Sequence, residues 1–183
     1  TEAEDLVPYS SQEEVRAAIQ QMYDDGKLSE KTYHKVEFIY DDEFHDGIYK
    51  YYIIENAEQL ALLSRQVNDG LLSTAESEFI LVNDIDLGGR YWTPIGKNSN
   101  YSFRGIFNLN GYTISGLTID SSTLSYAGLF GYVKGGIICN GYINNAFIRL
   151  ESKDSTVDLY AGTVASNVYD TTISNISVTT SIG

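Results

Sequence analysis

Apolar residues recur at helical spacing near the start of the chain. Four of them fall on one face of a helix: Val15, Ala18, Ile19 and Met22. Ser11 and Glu14 are spaced as a capping box, in which the serine hydroxyl accepts a hydrogen bond from a backbone N–H of the first turn. Gly26 can adopt the left-handed conformation that ends a helix. The pattern therefore predicts a helix over residues 12–25.

A second helical pattern begins after Asn56, an N-cap residue with Gln59 at the third helical position. Its apolar face consists of Leu60, Leu63 and Val67. Gly70 follows the last periodic residue, so the pattern predicts a helix over residues 56–69. This apolar face is larger than a two-stranded hairpin can cover. We therefore expect the helix to lie on a core built by later residues.

Two runs between these helices are rich in aromatic and β-branched residues, which favours strands over Lys35–Tyr40 and Ile48–Ile54. The acidic segment 41–47 separates them and is predicted to be the loop of a hairpin. Its acids and His45 raise the question of a metal site. The spacing does not fit a calcium loop, because the glycine comes one place late and Tyr52 stands where the closing glutamate belongs. We therefore expect a solvated acidic turn and no metal.

From Glu78 onward, charged residues become rarer and short extended runs alternate with glycine and asparagine. Three runs share one template of apolar ends with small or polar residues between: Ile114–Ile119, Ile138–Ile143 and Ile173–Val178. The pair Ala127-Gly128, which leads into the motif GLFG at 128–131, is echoed at Ala161-Gly162. Matching strands at unequal spacing are typical of stacked coils, because the loops at the corners accommodate inserted residues while the strands of the wall stay in register.

Stacked coils would place like side chains over one another. Two inward rows are expected, Ile114–Ile138–Ile173 and Ile119–Ile143–Val178. The amides of Asn140 and Asn175 should form a ladder at a corner, and the glycines of GLFG should stand where the wall turns or where a Cβ would collide with a neighbouring coil. We expect the helix over 56–69 to cover the first coil. Because no polar cap precedes Gly183, we expect the chain to belong to a longer repeat protein.

An ordered series of elements runs through the second part of the chain: Asn56–Asn68, Phe79–Leu87 with the sequence DIDL, Trp92–Gly96, Phe103–Gly105, Gly111–Leu117 and Gly128–Gly131. On these elements, residues 55–183 resemble the GLUG-motif repeat proteins, named for Gly-Leu-any-Gly. This group occurs in bacterial cell-surface proteins and in non-catalytic regions of immunoglobulin A peptidases. The chain departs from the pattern at Asn108-Leu109, where Asp-Gly is common, and at Ala161–Ser166. The resemblance implies a right-handed parallel β-helix in an extracellular or cell-surface protein.

Charge and cysteine content narrow the function classes. The formal net charge is -13 over 183 residues, whereas nucleic acids and anionic membranes attract basic surfaces. We therefore expect no nucleic-acid partner and no adsorption to membranes, and no apolar run is long enough to be inserted across one. Cys139 is the single cysteine. It lies in an apolar stretch, where a buried and inert thiol is expected.

The sequence contains none of the common catalytic or cofactor motifs, so no cofactor is expected. Parallel β-helices do include carbohydrate-active enzymes, which need paired carboxylates, or calcium with a basic residue, on an outer wall. Asp84 and Asp86 point to the same side of a strand and are candidates for such a pair. The competing interpretation is that both face solvent. Arg104 and Arg149 are the basic residues of interest, but nothing in the sequence pairs them with these aspartates.

Aromatic residues around the polar loop 97–100 are the candidate ligand contacts: Tyr91, Trp92, Tyr101 and Phe103. Exposed aromatic rings next to amides are suited to stacking on sugars or holding a protein partner. Trp92 belongs to a Trp-Thr-Pro-Ile-Gly motif that the resembling family shares. The alternative is therefore that Trp92 closes the core at a corner.

Together these patterns predict a mainly β protein in two parts. Residues 1–54 form a small α/β segment of helix and hairpin, and residues 55–183 form a covering helix followed by a right-handed parallel β-helix. We expect a non-catalytic bacterial cell-surface module, adhesin-like or a spacer, that contacts a host glycan or protein. The alternative is a carbohydrate-active or peptidase-associated enzyme region on a β-helix.

Overall fold

The computed structural model describes residues 5–28 and 47–182, with side chains up to Thr180 at the C-terminal end. The predicted strand Lys35–Tyr40 and the acidic loop with His45 lie outside the described residues, apart from Gly47 at the end of that loop. In the described part, the protein is mainly β, with parallel sheets and two helices.

Helix α1 spans Gln12–Asp24, as the sequence predicted. The Ser11 hydroxyl accepts a hydrogen bond from the Glu14 backbone N–H at 3.2 Å, and the Glu14 carboxylate accepts one from the Ser10 N–H at 2.8 Å. The first bond satisfies an N–H group that the first turn of a helix otherwise leaves unpaired, and the second holds the residue that precedes the N-cap. The buried face of α1 contributes to a small core of its own: Val15, Ile19, Tyr51, Ile53, Ile80 and Val82.

Helix α2 spans Ala57–Asn68. The predicted cap is present, because the Asn56 side chain accepts a hydrogen bond from the Gln59 N–H at 2.9 Å and the Gln59 side chain accepts one from the Glu55 N–H at 2.7 Å. The apolar face of α2 belongs to the main core, through Leu60, Leu63 and Val67. The expectation that this helix lies on a core built by later residues is confirmed.

Two polar side chains attach α2 to a later stretch of main chain. The Ser64 hydroxyl donates a hydrogen bond to the Thr93 carbonyl at 2.7 Å. The Asn68 amide donates to the Pro94 carbonyl at 2.9 Å and accepts from the Gly96 N–H at 2.9 Å. The helix therefore satisfies backbone groups that a neighbouring strand would otherwise have to pair.

The strands of the described residues, in chain order, are β1 (Lys50–Ile54), β2 (Ser77–Leu81), β3 (Ile85–Asp86), β4 (Ile106–Asn108), β5 (Thr113–Ser115), β6 (Thr118–Ser121), β7 (Tyr126–Ala127), β8 (Phe130–Lys134), β9 (Ile137–Leu150), β10 (Tyr160–Ala161), β11 (Ala165–Tyr169) and β12 (Thr172–Ile182). Every pairing between these strands is parallel. Parallel neighbours cannot be joined by a tight hairpin, so the chain must travel away from each strand before it returns beside it.

The long strand β9 organises the largest sheet. Successive parts of β9 pair with β4, β5 and β6, and β12 pairs along most of the length of β9. On the far side of β4, the order continues through β2 to β1. Two further pairs, β7 with β10 and β8 with β11, form separate two-stranded sheets.

Inward-facing side chains stack on apolar side chains of the next strand. One row runs Tyr52–Phe79–Phe107–Ile138–Ile173 and a second runs Ile85–Ile114–Ile143–Val178. The predicted neighbours Ile138 with Ile173, and Ile143 with Val178, are thereby confirmed. Parallel strands in register place equivalent residues side by side, which is why like side chains form continuous rows.

The predicted position of Ile114 is wrong. Ile114 pairs with Ile143 rather than Ile138, and Ile119 pairs with Ile148 rather than Ile143. Strand β9 has an isoleucine at every fifth position from 138 to 148, so a template with two apolar residues five apart fits this strand twice. The second fit is the one adopted, because the phenylalanine of β4 occupies the place beside Ile138.

The predicted asparagine ladder is confirmed and is longer than expected. The Asn175 amide donates to the Asn140 side-chain oxygen at 3.1 Å, and the Asn140 amide donates to the Asn108 oxygen at a long 3.5 Å. The Asn108 amide in turn donates to the buried carboxylate of Glu78 at 3.3 Å. Asn140 and Asn175 have φ of 65° and 55°, a left-handed conformation that asparagine tolerates better than most residues.

Replacement of Asn140 by alanine should lower the free energy of unfolding by about 2 kcal/mol. Part of this loss comes from the ladder hydrogen bonds and part from forcing an alanine into the left-handed region. Asn140→Gly keeps the backbone conformation and removes only the amide, so we expect a smaller loss. Urea unfolding of both variants measures the two contributions. If neither variant differs from the parent protein by more than about 0.5 kcal/mol, the ladder does not stabilise the fold.

The GLFG motif brings main chains into close contact. Leu129 and Phe130 are fully buried. A Cβ on Gly128 would lie 2.3 Å from the Gly162 carbonyl oxygen, and one on Gly131 would lie 2.3 Å from the Gly96 carbonyl oxygen. Both glycines therefore stand where a side chain would collide with a neighbouring main chain, as the sequence predicted.

Candidate functional site

The four candidate ligand contacts divide into a buried pair and an exposed pair. Trp92 and Phe103 belong to the main core. The Trp92 indole N–H donates to the Leu129 carbonyl at 3.0 Å, which satisfies its single polar group inside the protein. Tyr91 and Tyr101 are exposed. Two of the four rings are thus available at the surface, and Trp92 has the core-closing role that the sequence left open as the alternative.

Tyr101 packs close to the end of α2. The loop before it is held by Asn98, whose side-chain oxygen accepts hydrogen bonds from the N–H groups of Asn100 at 2.9 Å and Tyr101 at 3.1 Å. The Lys97 ammonium lies 4.4 Å from the centroid of the Tyr101 ring, within the range of a cation–π contact. A Cβ on Gly70 would meet the same ring at 2.7 Å. Tyr101 is therefore a partly exposed ring that is already engaged by its neighbours.

Tyr91 belongs to a different surface. It pairs in parallel with Thr118, and Thr118 pairs in turn with Phe147. Tyr91 is 78% exposed and Phe147 is 43% exposed, whereas the next residues of β6 and β9, Ile119 and Ile148, point into the core. We call Tyr91, Thr118 and Phe147 the outer aromatic row. Phe147 was not among the residues singled out from the sequence, although it lies between the buried residues at 146 and 148, and side chains alternate between the two faces of a strand.

An ion pair lies beside the outer aromatic row, two residues further along the same strands. The Arg149 guanidinium donates to both carboxylate oxygens of Asp120, at 2.9 Å and 3.0 Å. The hydrogen bond and charge of Asp120 raise the pKa of Arg149, with smaller contributions from Glu151 and Tyr91. This pairing was also missed, because Asp120 and Arg149 become neighbours only through the register of β6 with β9.

The carboxylates Asp84 and Asp86 serve local structure. Asp84 accepts a hydrogen bond from the Thr113 N–H at 2.8 Å, and Asp86 accepts one from the Gly88 N–H at 2.8 Å. Both residues are exposed, as the competing interpretation expected. Arg104 contacts the Ser102 hydroxyl at 3.4 Å.

Clefts on the described part of the surface include the following two. One of about 340 Å³ is lined mainly by small and apolar residues around Gly105 and Gly135, and one of about 240 Å³ lies between the segments 122–125 and 151–159.

Across residues 5–28 and 47–182, no group of three or more His, Cys, Asp or Glu is arranged to hold a metal ion. Neither described helix has the length and apolar character needed to span a bilayer.

Cys139 lies on β9 next to the asparagine ladder. Burial, with a contribution from the charge of Glu78, raises the pKa of its thiol to about 12. The thiol therefore stays protonated at neutral pH, and a protonated thiol is a poor nucleophile and metal ligand. The expected inert cysteine agrees with this environment.

Two much longer proteins are similar to part of this chain. A Gly-rich protein of Evansella cellulosilytica, whose name assigns it to the membrane, is 35% identical over 134 residues, which are 69% of this chain and 14% of that protein. Halomucin of Haloquadratum walsbyi is 32% identical over 124 residues, which are 62% of this chain and 1% of halomucin. The chain thus spans a small part of each relative. No family model matches the chain, and no solved structure matches it significantly.

Proposed function

We propose that residues 55–182 wind as a right-handed parallel β-helix and form a non-catalytic module of a cell-envelope or cell-surface protein. The observation that carries the coil is the row Phe79–Phe107–Ile138–Ile173, in which each residue pairs in parallel with the next. A β-sandwich would instead need antiparallel neighbours. The handedness follows from the rule that crossovers between parallel strands are right-handed and from the GLUG-motif resemblance.

The relatives support the proposed location. The name of one assigns it to the membrane and the other is a halomucin, and each is far longer than the aligned segment. A segment that makes up a small part of such a long protein is more typical of a repeated structural element than of a complete enzyme. We infer that the module lies outside the cell as part of a long envelope protein.

A spacer role suits the way in which the strands stack. Parallel strands lie about 4.8 Å apart along the hydrogen-bonding direction, so each added strand lengthens the stack by a fixed step. Hydrogen bonds between strands run along that direction, and buried rings such as Phe79, Phe103 and Phe130 fill the interior. A stack of this kind holds other parts of a protein at a defined separation.

An adhesin-like contact is proposed for the outer aromatic row. Tyr91 and Phe147 are two strands apart, which separates them by about 9.5 Å. Between them lies Thr118, whose hydroxyl donates to the Gly116 carbonyl at 3.2 Å and retains its acceptor capacity, and the Asp120–Arg149 pair beside the row offers hydrogen-bond acceptors and donors. Aromatic faces stack on the apolar faces of sugar rings, while hydroxyl and charged groups bind sugar hydroxyls. We therefore favour an extended host glycan over a protein partner.

Glycan binding is tested by screening the protein against host glycans and measuring affinity for the best ligand. Tyr91→Ala and Phe147→Ala should each weaken binding by about three- to tenfold, because each removes one stacking ring. Tyr169→Ala is the matched control, since Tyr169 is 70% exposed but lies on β11. If the variant that carries both Tyr91→Ala and Phe147→Ala binds the glycan as tightly as the parent protein, the proposed contact is contradicted and only the spacer role is left. Cleavage of the bound glycan would instead favour the carbohydrate-active alternative.

A further inference from the structure

Strands β11 and β12 carry exposed apolar side chains, although the residues that they pair with on β8 and β9 are buried. Three pairs differ in this way: Ile138 at 0% and Ile173 at 44% exposed, Ile143 at 0% and Val178 at 37%, and Val133 at 2% and Val168 at 55%. The members of each pair have the same inward position on adjacent parallel strands. The exposed members are therefore arranged like core residues that lack their covering strand.

The outer edge of β12 lacks the charges, the proline and the short length that commonly protect sheet edges, and its one irregularity is a shift of register with β9 between Val178 and Thr180. Proteins usually block an exposed edge with lysine, proline, a short strand or an inward charge. Residues 172–182 contain no charged residue and no proline, and β12 is 11 residues long. At the opposite end of the sheet, the edge strand β1 is already bonded to Tyr9, whose N–H donates to the Tyr51 carbonyl at 2.7 Å and whose carbonyl accepts from the Tyr51 N–H at 2.9 Å.

The asparagine ladder has a direction. Each amide donates toward β2, from Asn175 to Asn140, from Asn140 to Asn108 and from Asn108 to Glu78. The side-chain oxygen of Asn175 is consequently the acceptor that faces the open end. A group that continues the ladder must bring an N–H donor to this position, and an asparagine at the equivalent place of a further strand does so.

We propose that the edge formed by β11 and β12 is a docking surface for one further parallel strand segment with the repeat pattern of this module. The segment places an apolar residue beside Ile173, an asparagine amide on the Asn175 oxygen and an apolar residue beside Val178. The proposed docking rests on the register of β12 with β9 and is independent of the glycan contact. In a second copy, β1 is already bonded to Tyr9 at Tyr51, so β1 is not the segment proposed here.

The probe is a synthetic peptide with the sequence of residues 172–182, added to the isotopically labelled protein. Binding should slow amide exchange along β12. A spin label at the peptide N-terminus should broaden signals near Thr172, because the docked strand is parallel. Within the peptide, Asn175→Asp should weaken binding at least tenfold, since a carboxylate cannot donate to Asn175 of the protein. The Ser177→Asp peptide carries the same added charge at an outward position, beside the exposed Tyr142, and should bind within about threefold of the parent peptide.

Four results would overturn the proposal. One is broadening near Thr180 instead of Thr172, which means an antiparallel strand. Another is that the Asn175→Asp and Ser177→Asp substitutions weaken peptide binding equally, which means that the added charge, and not the lost ladder hydrogen bond, lowers the affinity. The third is a concentration-dependent dimer of the protein that protects β12, which means that two copies join edge to edge. If the free peptide does not bind, the same peptide joined to the C-terminus by a Gly/Ser linker reaches millimolar effective concentration, and failure of this form to protect β12 also rejects the proposal.

Discussion

Phe130→Ala should lower the free energy of unfolding by about 3–5 kcal/mol. The Phe130 side chain is fully buried, and its ring centroid lies 4.9 Å from that of Phe103 and 5.2 Å from that of Phe107. Truncation removes the buried ring and leaves a cavity between two other rings. The main chain on both sides is held by parallel pairing, so the cavity cannot easily collapse.

The midpoint and the slope of urea denaturation, both fitted, measure this loss. Tyr91→Ala is the matched control, because Tyr91 is an exposed ring whose removal should change stability by no more than about 0.5 kcal/mol. If Phe130→Ala costs less than about 1 kcal/mol, the ring does not belong to a packed core. A change of slope without a change of midpoint would indicate an altered denatured state and would leave the packing argument without support.

The parts of the fold that the sequence predicted are those decided by local chemistry or by repeated pattern. The caps of both helices could be predicted because Ser11 and Asn56 satisfy backbone N–H groups within one turn. The pairing of Ile138 with Ile173 could be predicted because both stand two residues before an asparagine, and the asparagines form the ladder. The helix caps depend on a few residues close in sequence, and the strand pairing depends on residue types that recur at the same positions of both strands.

The parts that could not be predicted depend on register between distant segments. The evenly spaced isoleucines of β9 allow two fits for Ile114, and only the three-dimensional packing of the β4 phenylalanine decides between them. The same holds for the candidate site. Trp92 and Phe103 have the residue type of a binding surface, but they are buried. The outer aromatic row and the Asp120–Arg149 pair exist only because β6 pairs with β9 in one register.

Gly131→Ala should cost about 3 kcal/mol or more, because it places a side chain between two paired main chains. The added Cβ would lie 2.3 Å from the Gly96 carbonyl oxygen and 2.8 Å from the Tyr126 ring. The ring can move, but the carbonyl cannot do so freely, since the Gly96 oxygen accepts a hydrogen bond from the Tyr132 N–H at 3.0 Å. The methyl group must therefore push the two strands apart and weaken the bonds between them.

Gly135→Ala separates this collision from conformational strain. Gly135 has φ of 67° and open space around it, so its alanine variant should lose only about 1–2 kcal/mol, the cost of a left-handed alanine. Gly131 has the opposite combination, close neighbours without a left-handed backbone. Chemical unfolding of the two variants should thus rank Gly131→Ala as the more destabilised. The reverse order would mean that the GLFG glycine is needed for its backbone freedom, and the close approach of the two strands would not be what the motif provides.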